Sequence, residues 1–548
     1  MSAAAAAPDR RVPLWYNYWG WGSGDMLGAG AQAVVTGWLF YFFTTFCGLS
    51  ALNAGFILGL PRLIEAVTCP LIGYVSDNLR YTWIGRKIGR RKIFLMLTIP
   101  LLPSFMLIFI TGHSFTYYLL TFIFFEFLYT MFLIPWETLA AEMTKDYREK
   151  AKFAGARMIV AQSSAILASY LPTMIIDRLG KDSPNTFFIL AAIFGGIFSL
   201  VVLLVVIFTW ERPYTEDEKL IRPEPLSGAM LLLIPVNMFR DLFSTLRIRA
   251  FRQHLSLYLG GYISQDIANT AFPIFVVTVI MGATGIISQL MTMMYIAQLI
   301  SVMIAIRVVI KTGPVIAYRF AITFFSAGLL LMLAFYFARP AGFVDGVNAM
   351  GTNVFSGLNP ASAAFNASVL FWLFVPVILA GLGRGTLNFV PWSVYNYLPD
   401  VDEAVTARRR EGIFAGVMTL VRKLAQSGAV ILTGWIIDLG GYISPPKGAP
   451  AAAVHQTPQA VATITWLLVL GPILVMLCGL LASWRFRLNA QTHNVLMVEI
   501  ERLRAGERAP SSEEARRVVE DLTGWKYEKL WGRNNVGYAK PVAERSTI

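Results

Sequence analysis

Arg62-Leu-Ile-Glu65-Ala-Val-Thr68-Cys69-Pro70-Leu-Ile-Gly73-Tyr-Val-Ser-Asp77 is the stretch on which the reading of the whole chain turns. It lies in an apolar run that opens near residue 52, yet it carries an arginine and, three residues on, a glutamate. Arg62, Glu65 and Cys69 stand at i, i+3 and i+7, so they share one helix face. A charge at mid-membrane costs at least about 2.5–3.5 kcal/mol on insertion, so such residues turn toward a partner or a water-filled cavity. A greasy helix with an ion pair on one face therefore belongs to a bundle with a polar interior.

The rest of the chain agrees with that reading. Of 548 residues, 56% are hydrophobic and 14% charged, and the mean hydropathy is +0.58. A soluble domain has about a quarter of its residues charged. Apolar blocks of about 20 residues, enough to cross about 30 Å of hydrocarbon, recur along the sequence. Twelve such blocks divide six and six, over 15–210 and 252–484, around a polar linker at 211–251. A short N-terminus (1–14) and a polar tail (485–548) flank them. The fold class predicted is an all-α membrane protein of 12 transmembrane helices in two six-helix bundles around a central cavity.

The linker begins with Glu211-Arg-Pro213 and Arg222-Pro-Glu-Pro225. Its segment 228–250 is too short and too charged to span, and reads as an interfacial helix. In the tail, Ser511-Ser-Glu-Glu514 resembles a capping box opening a helix that runs past Val518 and Leu522. Such a helix lies on the bundle or on the membrane surface. The net charge of +13 invites a nucleic-acid reading, but its distribution excludes one. With the N-terminus inside, only Arg178, Lys181, Arg339 and Lys447 fall in outside loops. That is the positive-inside asymmetry, and it places both termini in the cytoplasm of a multi-pass inner-membrane protein. The first apolar block is too long for a signal peptide and lacks a cleavage site.

Cys47, Cys69 and Cys478 are scattered, and no Cys/His spacing suits a metal, so neither disulfide, metal site nor cofactor is expected. The four histidines fall in loops or at block edges, which leaves carboxylates to carry any buried proton relay. No nucleophile–base spacing or phosphate-binding glycine loop points to an enzyme. Ionisable residues at membrane depth are Asp25, Arg62, Glu65, Glu126, Arg157, Asp266, Arg384, Arg422 and Lys423. They come from both halves, the pattern of a transporter whose site lies between two bundles. Arg384, Asn388, Trp392 and Tyr395 form a polar–aromatic stripe suited to a sugar ring, or else to core packing. Arg62–Glu65 reads as a cavity-facing pair or a structural one, and Glu126 as a site acid, a protonated acid or a helix-end residue. Arg422 and Lys423 are adjacent and cannot share a face, so one of them serves structure.

Several segments resemble a known group. Gly73-Tyr-Val-Ser-Asp77 with Arg80 and Gly89-Arg90-Arg91-Lys92 is similar to the major facilitator signature between helices two and three. More closely, Gly24-Asp25, Arg62-x-x-Glu65 with Pro70, Ile134-Pro135-Trp136, Glu142-x-Thr144-x-Asp146, Pro399-Asp400-Val401-Asp402, Arg408-Arg-Arg410-Glu411-Gly412 and Lys423 resemble the glycoside–pentoside–hexuronide:cation symporters, the melibiose-permease family.

The resemblance implies that Asp25 and Arg157 bind sugar hydroxyls, with Tyr129 and Lys423 nearby; Asn388 and Trp392 of the polar–aromatic stripe would line the same substrate cavity. It implies a cation site at Glu65, Thr68 and Cys69 with Thr130, bordered by Arg62 and Lys423. Asp77, Arg80, Arg90 and Arg91 would form the cytoplasmic gate. Two departures stand out. Sodium-coupled members carry a second carboxylate where this chain has Cys69, and a sugar-binding aspartate where it has Leu133. A thiol is a poor sodium ligand, whereas a lone buried glutamate among cations can bind and release a proton.

The expected function is thus import of a glycoside or oligosaccharide by proton symport through alternating access, with Na+ the less fitting coupling ion. The excess of Arg62, Arg157, Arg384 and Lys423 over acids in the cavity makes an acidic glycoside conceivable, unless carboxylates pair with them. The alternative is a lysophospholipid or other amphiphile transporter of the same fold, and then a non-transporting sensor. The partners expected are a small-molecule substrate and the lipid bilayer, with no nucleic acid, for a monomer.

Overall fold

A computed structural model describes residues 13–79, 82–144, 147–179, 184–211, 244–281, 284–350, 354–355, 366–395, 397–407, 411–444, 454–534 and 536. Six long helices form the first half: α1 (Trp15–Thr45), α2 (Ala51–Leu79), α3 (Lys92–Thr98 and Leu102–Phe109), α4 (Phe115–Met143), α5 (Tyr147–Leu179) and α6 (Pro184–Phe208). Six more form the second: α7 (Arg249–Ile280), α8 (Thr284–Thr312), α9 (Pro314–Ala338), α10 (Ala367–Tyr395), α11 (Glu411–Leu439) and α12 (Pro458–Arg485).

Among the described residues, nine of these are long and apolar enough to cross a bilayer, and α3 makes a tenth. The other two, α2 and α5, hold Arg62, Glu65 and Arg157. The third span, α3, is bent by 40° between its two parts. Pro100 and Pro103 remove two amide donors there, and the second part winds as a tighter 3-10 helix. Helix α1 relaxes into a π turn at Val35–Leu39 and α7 into another at Val276–Ile280.

Within the first half α1 packs on α5, α2 on α4, and α3 on α6; within the second α7 packs on α12, and α10 on both α8 and α9. The halves meet along α2–α11 and α5–α8. The residues that touch lie toward one end of the bundles. A Cβ on Gly55 would stand 3.2 Å from the Val430 carbonyl, and one on Gly434 would run into the carbonyl of Ala51. Ser444 donates to the Leu49 carbonyl at 2.7 Å. Across the other seam the Ser169 and Thr292 hydroxyls bond at 2.9 Å, and Ser288 donates to the Ser169 carbonyl. Glycines and serines let backbones meet closely where bulky residues would wedge the seam apart.

The opposite end carries the tail. Two helices, α13 (Ala490–Arg504) and α14 (Glu513–Thr523), are capped by Asn489 and Ser512. The helix expected after Ser511 is α14, which opens one residue later. Helix α13 is an addition to the sequence reading, although Leu496, Ile500 and Leu503 at i, i+4 and i+7 are its buried face.

Both dock on the second half, against the short helix Leu398–Thr406 and the start of α7. Trp531 and Gly532 donate backbone N–H groups to the Ala404 and Val405 carbonyls at 2.8 and 2.9 Å. Arg249 pairs with Asp521 at 2.6 Å, His493 Nε2 lies 2.9 Å from Asp400 Oδ2, and Arg504 pairs with Glu403. Residues 212–243, most of the expected interfacial helix, lie outside the described residues, as do Arg80, Asp146 and Arg408–Arg410.

Candidate functional site

Helix α2 brings Arg62 and Glu65 to one buried face, and α4 and α11 close around them. Arg62 Nη1 donates to Glu65 Oε2 at 3.4 Å and, more tightly, to Glu126 Oε2 of α4 at 2.9 Å. Its Nη2 donates to Gln32 Oε1 of α1 at 2.8 Å. From the other half Lys423 Nζ reaches Glu65 Oε2 at 2.7 Å. Arg62, Glu65 and Glu126 are each 2% exposed, so these are desolvated charges that hold one another in place. Two cations face two carboxylates, and the cluster is neutral when all are ionised.

The expected cation-site residues mostly assemble here. Thr130 is buried and donates to the Glu126 carbonyl at 2.9 Å, and buried Cys69 adjoins Thr130. Tyr129 donates to the Gly28 carbonyl at 3.2 Å, with Lys423 Nζ 5.9 Å from its ring centre. Thr68 bonds the Glu65 carbonyl of its own helix at 3.3 Å. A cleft of about 240 Å³ opens between α2 and α4, apolar at Leu120, Phe124 and Phe127 and polar at Glu65, Glu126 and Thr68.

A second acid–base group lies where α1, α4 and α5 meet. Arg157 Nε donates to Asp25 Oδ2 at 3.1 Å, and its Nη2 to Glu137 Oε1 of α4 at 2.9 Å. The guanidinium stacks 4.7 Å from the Trp136 ring centre. Trp136 is itself locked, since it and Trp21 each donate Nε1–H to the other's carbonyl, at 2.8 and 2.9 Å. Gly24 is small because a Cβ there would strike the Trp136 indole. The sequence stripe Gly24-Asp25 thus works by letting one aromatic floor the pair.

In the second half the stripe on α10 meets a matching stripe on α7. Arg384 Nη1 donates to Asn269 at 2.8 Å, Asn388 accepts from Gln265 at 2.9 Å, and Trp392 donates to the Tyr262 hydroxyl at 2.9 Å. Tyr395 packs 5.5 Å from Trp392. Arg422, next to Lys423, makes a two-pronged pair with Asp266 at 2.7 and 2.9 Å. Carboxylates therefore pair with Arg62, Arg157, Arg422 and Lys423, and this removes the general excess of cavity cations read from the sequence. Arg384 is the exception among the described residues: it is 4% exposed, it bonds Asn269 and the Met294 sulfur, and its Nε has no acceptor.

Of the expected gate residues, Arg90 and Arg91 lie in a turn just before α3. The turn Gly89-Arg90-Arg91-Lys92 offers three backbone N–H groups to the Glu211 carboxylate at 3.0, 2.9 and 2.8 Å, an anion held at the start of α3. Gly89 sits at φ +108°, a conformation that glycine adopts without strain. Arg80 lies outside the described residues, and so does the side chain of Asp77.

One acid, Glu137, went unweighted in the sequence, and it lies on α4 with Glu126. Glu126, Thr130, Leu133 and Glu137 stand at i, i+4, i+7 and i+11, one face of a helix. That spacing was legible, but only the partners of each carboxylate distinguish a site from a chance stripe.

The chain matches the MFS/sugar transport protein family over residues 20–490. It is 23% identical to the symporter sll1374 of Synechocystis sp., covering 88% of this chain and 95% of that one. It is 24% identical to the glucuronide carrier protein homolog of Escherichia coli strain K12, covering 89% and 95%. In fold it is similar to the nucleoside transporter NupG, with a TM-score of 0.56 at 14% identity over 86% of this chain and 100% of that one. The protein belongs to the MFS/sugar transport family, among the glycoside–pentoside–hexuronide:cation symporters, and is a membrane transporter, not an enzyme.

Proposed function

We propose that the protein imports a glycoside or oligosaccharide across the inner membrane in symport with a proton. The observation that carries this reading is the buried Lys423–Glu65 bridge, which joins the two bundles through the acid at the expected coupling position. A charge pair across the moving seam ties ion occupancy to the bundle arrangement, which is what a symporter requires. The Asp25–Arg157–Glu137 group beside Trp136 supplies paired acceptors and donors for vicinal hydroxyls and a flat face for a sugar ring. With both termini cytoplasmic, as the Lys/Arg distribution supports, the packed α2–α11 and α5–α8 ends face outward. The bundles then stand in an inward-facing arrangement.

Sodium fits less well. Glu65 and Glu126 are already opposed by the cations Arg62 and Lys423, and the remaining neighbours are a thiol and hydroxyls. Arg384 favours an acidic glycoside over a neutral one, because a buried guanidinium without a carboxylate partner gains most from an anionic ligand.

Thermal unfolding of the purified protein with neutral glycosides, hexuronides and lysophospholipids tests the cargo, since a ligand of the folded state raises stability. Stabilisation by lysophospholipids alone would replace the sugar reading with the amphiphile one. Uptake into proteoliposomes tests the coupling: Glu65→Gln should abolish pH-driven accumulation, and strong stimulation by sodium at fixed pH would overturn the proton reading.

A further inference from the structure

We propose that Glu126 is the second acid of the coupling site: Glu65 and Glu126 share Arg62 and hold one proton between them whenever Lys423 withdraws. The inference rests on the proton-symport reading and extends it to a residue on α4.

Charge balance carries the argument. Both carboxylates take the same Arg62 Nη1, at 3.4 and 2.9 Å, and they adjoin each other. Both belong to the first half, as does Arg62. Lys423 alone comes from the second half, and it touches only Glu65 of the two acids, at 2.7 Å. Glu65 Oε1 and Glu126 Oε1 are buried without a hydrogen-bond partner, so each acid has a lone pair to receive a proton. The two acids and Thr68 are the polar lining of the α2–α4 cleft.

Rocking of the bundles separates α11 from α2 but leaves α2 and α4 together, since these two pack side by side in one half. Once Lys423 departs, two carboxylates face one guanidinium. Like charges this close in a buried site cannot both stay ionised, so the pair takes one proton. The proton comes from water on the outer side and forms an O–H bond on one of the two acids; no other bond changes. When Lys423 returns, in the arrangement seen here, the ammonium replaces the proton, which leaves to water on the inner side. One proton per cycle follows, carried inward. The Cys69 substitution is thereby offset: the second carboxylate stands on α4 instead of one turn along α2.

Infrared difference spectroscopy on the full-length protein in proteoliposomes tests this without any substrate, using the proton as the probe. Between about pH 9 and pH 6, ordinary surface carboxylates stay ionised, so a protonated-carboxyl band that grows on acidification reports a buried acid. We expect that band in the wild type, its loss in both Glu126→Gln and Glu65→Gln, and its return in Glu126→Asp. The Asp variant also separates loss of the acid from loss of the fold. A band retained in Glu126→Gln and lost in Glu65→Gln would overturn the inference and leave proton coupling through Glu65 alone. Absence of the band both in the wild type and in Lys423→Gln, which removes the ammonium in every arrangement, would overturn the proton reading itself.

Discussion

Arg422 and Lys423 are neighbours in sequence, about 100° apart around α11, and their duties differ. Arg422 turns into its own half and closes a two-pronged pair with Asp266 of α7. Lys423 turns out across the seam and meets Glu65 of α2 with a single contact. The first pair is satisfied in any arrangement of the two bundles, because both partners move together. The second exists only while the seam near it is closed. The difference teaches that burial does not by itself mark function; only an ion pair whose partners lie in different bundles is sensitive to how the bundles are arranged.

Breaking the internal pair should have the largest effect on stability. Asp266→Ala leaves the largely covered Arg422 without its carboxylate, a change that costs at most about 3–5 kcal/mol. Thermal unfolding should fall sharply, and Asp266→Asn with Arg422→Gln should recover much of it. If the single variant unfolds like the wild type, the pair is not the brace described here.

Breaking the bridging pair should spare stability and damage coupling. One pH unit is worth about 1.4 kcal/mol, so a one-unit gradient with one proton per substrate gives about tenfold accumulation. Lys423→Gln should reduce accumulation of p-nitrophenyl β-D-glucuronide, or of another glycoside that stabilises the protein, to the level of equilibration. It should also hold the carboxyl band protonated to higher pH, because the acid pair then keeps one permanent cation. Unchanged accumulation would mean that the bridge plays no part in coupling.

The seam itself can be wedged. Gly55→Val places methyl groups against the Val430 carbonyl and the Gly434 backbone. Overpacking of that kind costs about 1–3 kcal/mol, and here it opposes only the arrangement with these ends closed. Cysteine cross-linking or labelling of residues near the tail end should then report a shift toward the other arrangement.

The smallest effect concerns the tail. Arg504–Glu403 and the Arg516 pairs are partly exposed, and solvent-screened bridges of this kind contribute little. Glu520 accepts the Tyr527 N–H at 2.8 Å, and this bond, with Arg516, holds its carboxyl below the ordinary value. A lowered carboxylate pKa stabilises the folded tail above the usual value and loses that contribution as pH falls through the lowered one. Protease resistance of the tail should therefore be level at neutral pH and decline only below the ordinary carboxylate range, with Glu520→Gln removing that step.

Much of the architecture was legible because lipid imposes it. Apolar runs of fixed length, the Lys/Arg asymmetry and the polar break at the centre each have one physical cause. Asp25 with Arg157, and Glu65 with Lys423, were legible as charges that needed partners. What was not legible was how many partners each would have. Glu126 read as a site acid, a protonated acid or a helix-end residue, and Glu137 not at all, until Arg62 and Arg157 were placed against them. The α10 stripe likewise gave no sign that Tyr262, Gln265 and Asn269 of α7 answer it residue by residue. The bend in α3 follows from prolines that the apolar pattern alone passes over.

The sequence by itself determined that this chain crosses the membrane many times and that charges from both halves meet inside. Those follow from the cost of moving polar groups into hydrocarbon, which every residue meets locally. The tertiary structure alone decided which acid each buried cation answers. Pairing depends on distances across helices far apart in sequence, and only packing brings Lys423 to Glu65 while turning Arg422 away from it.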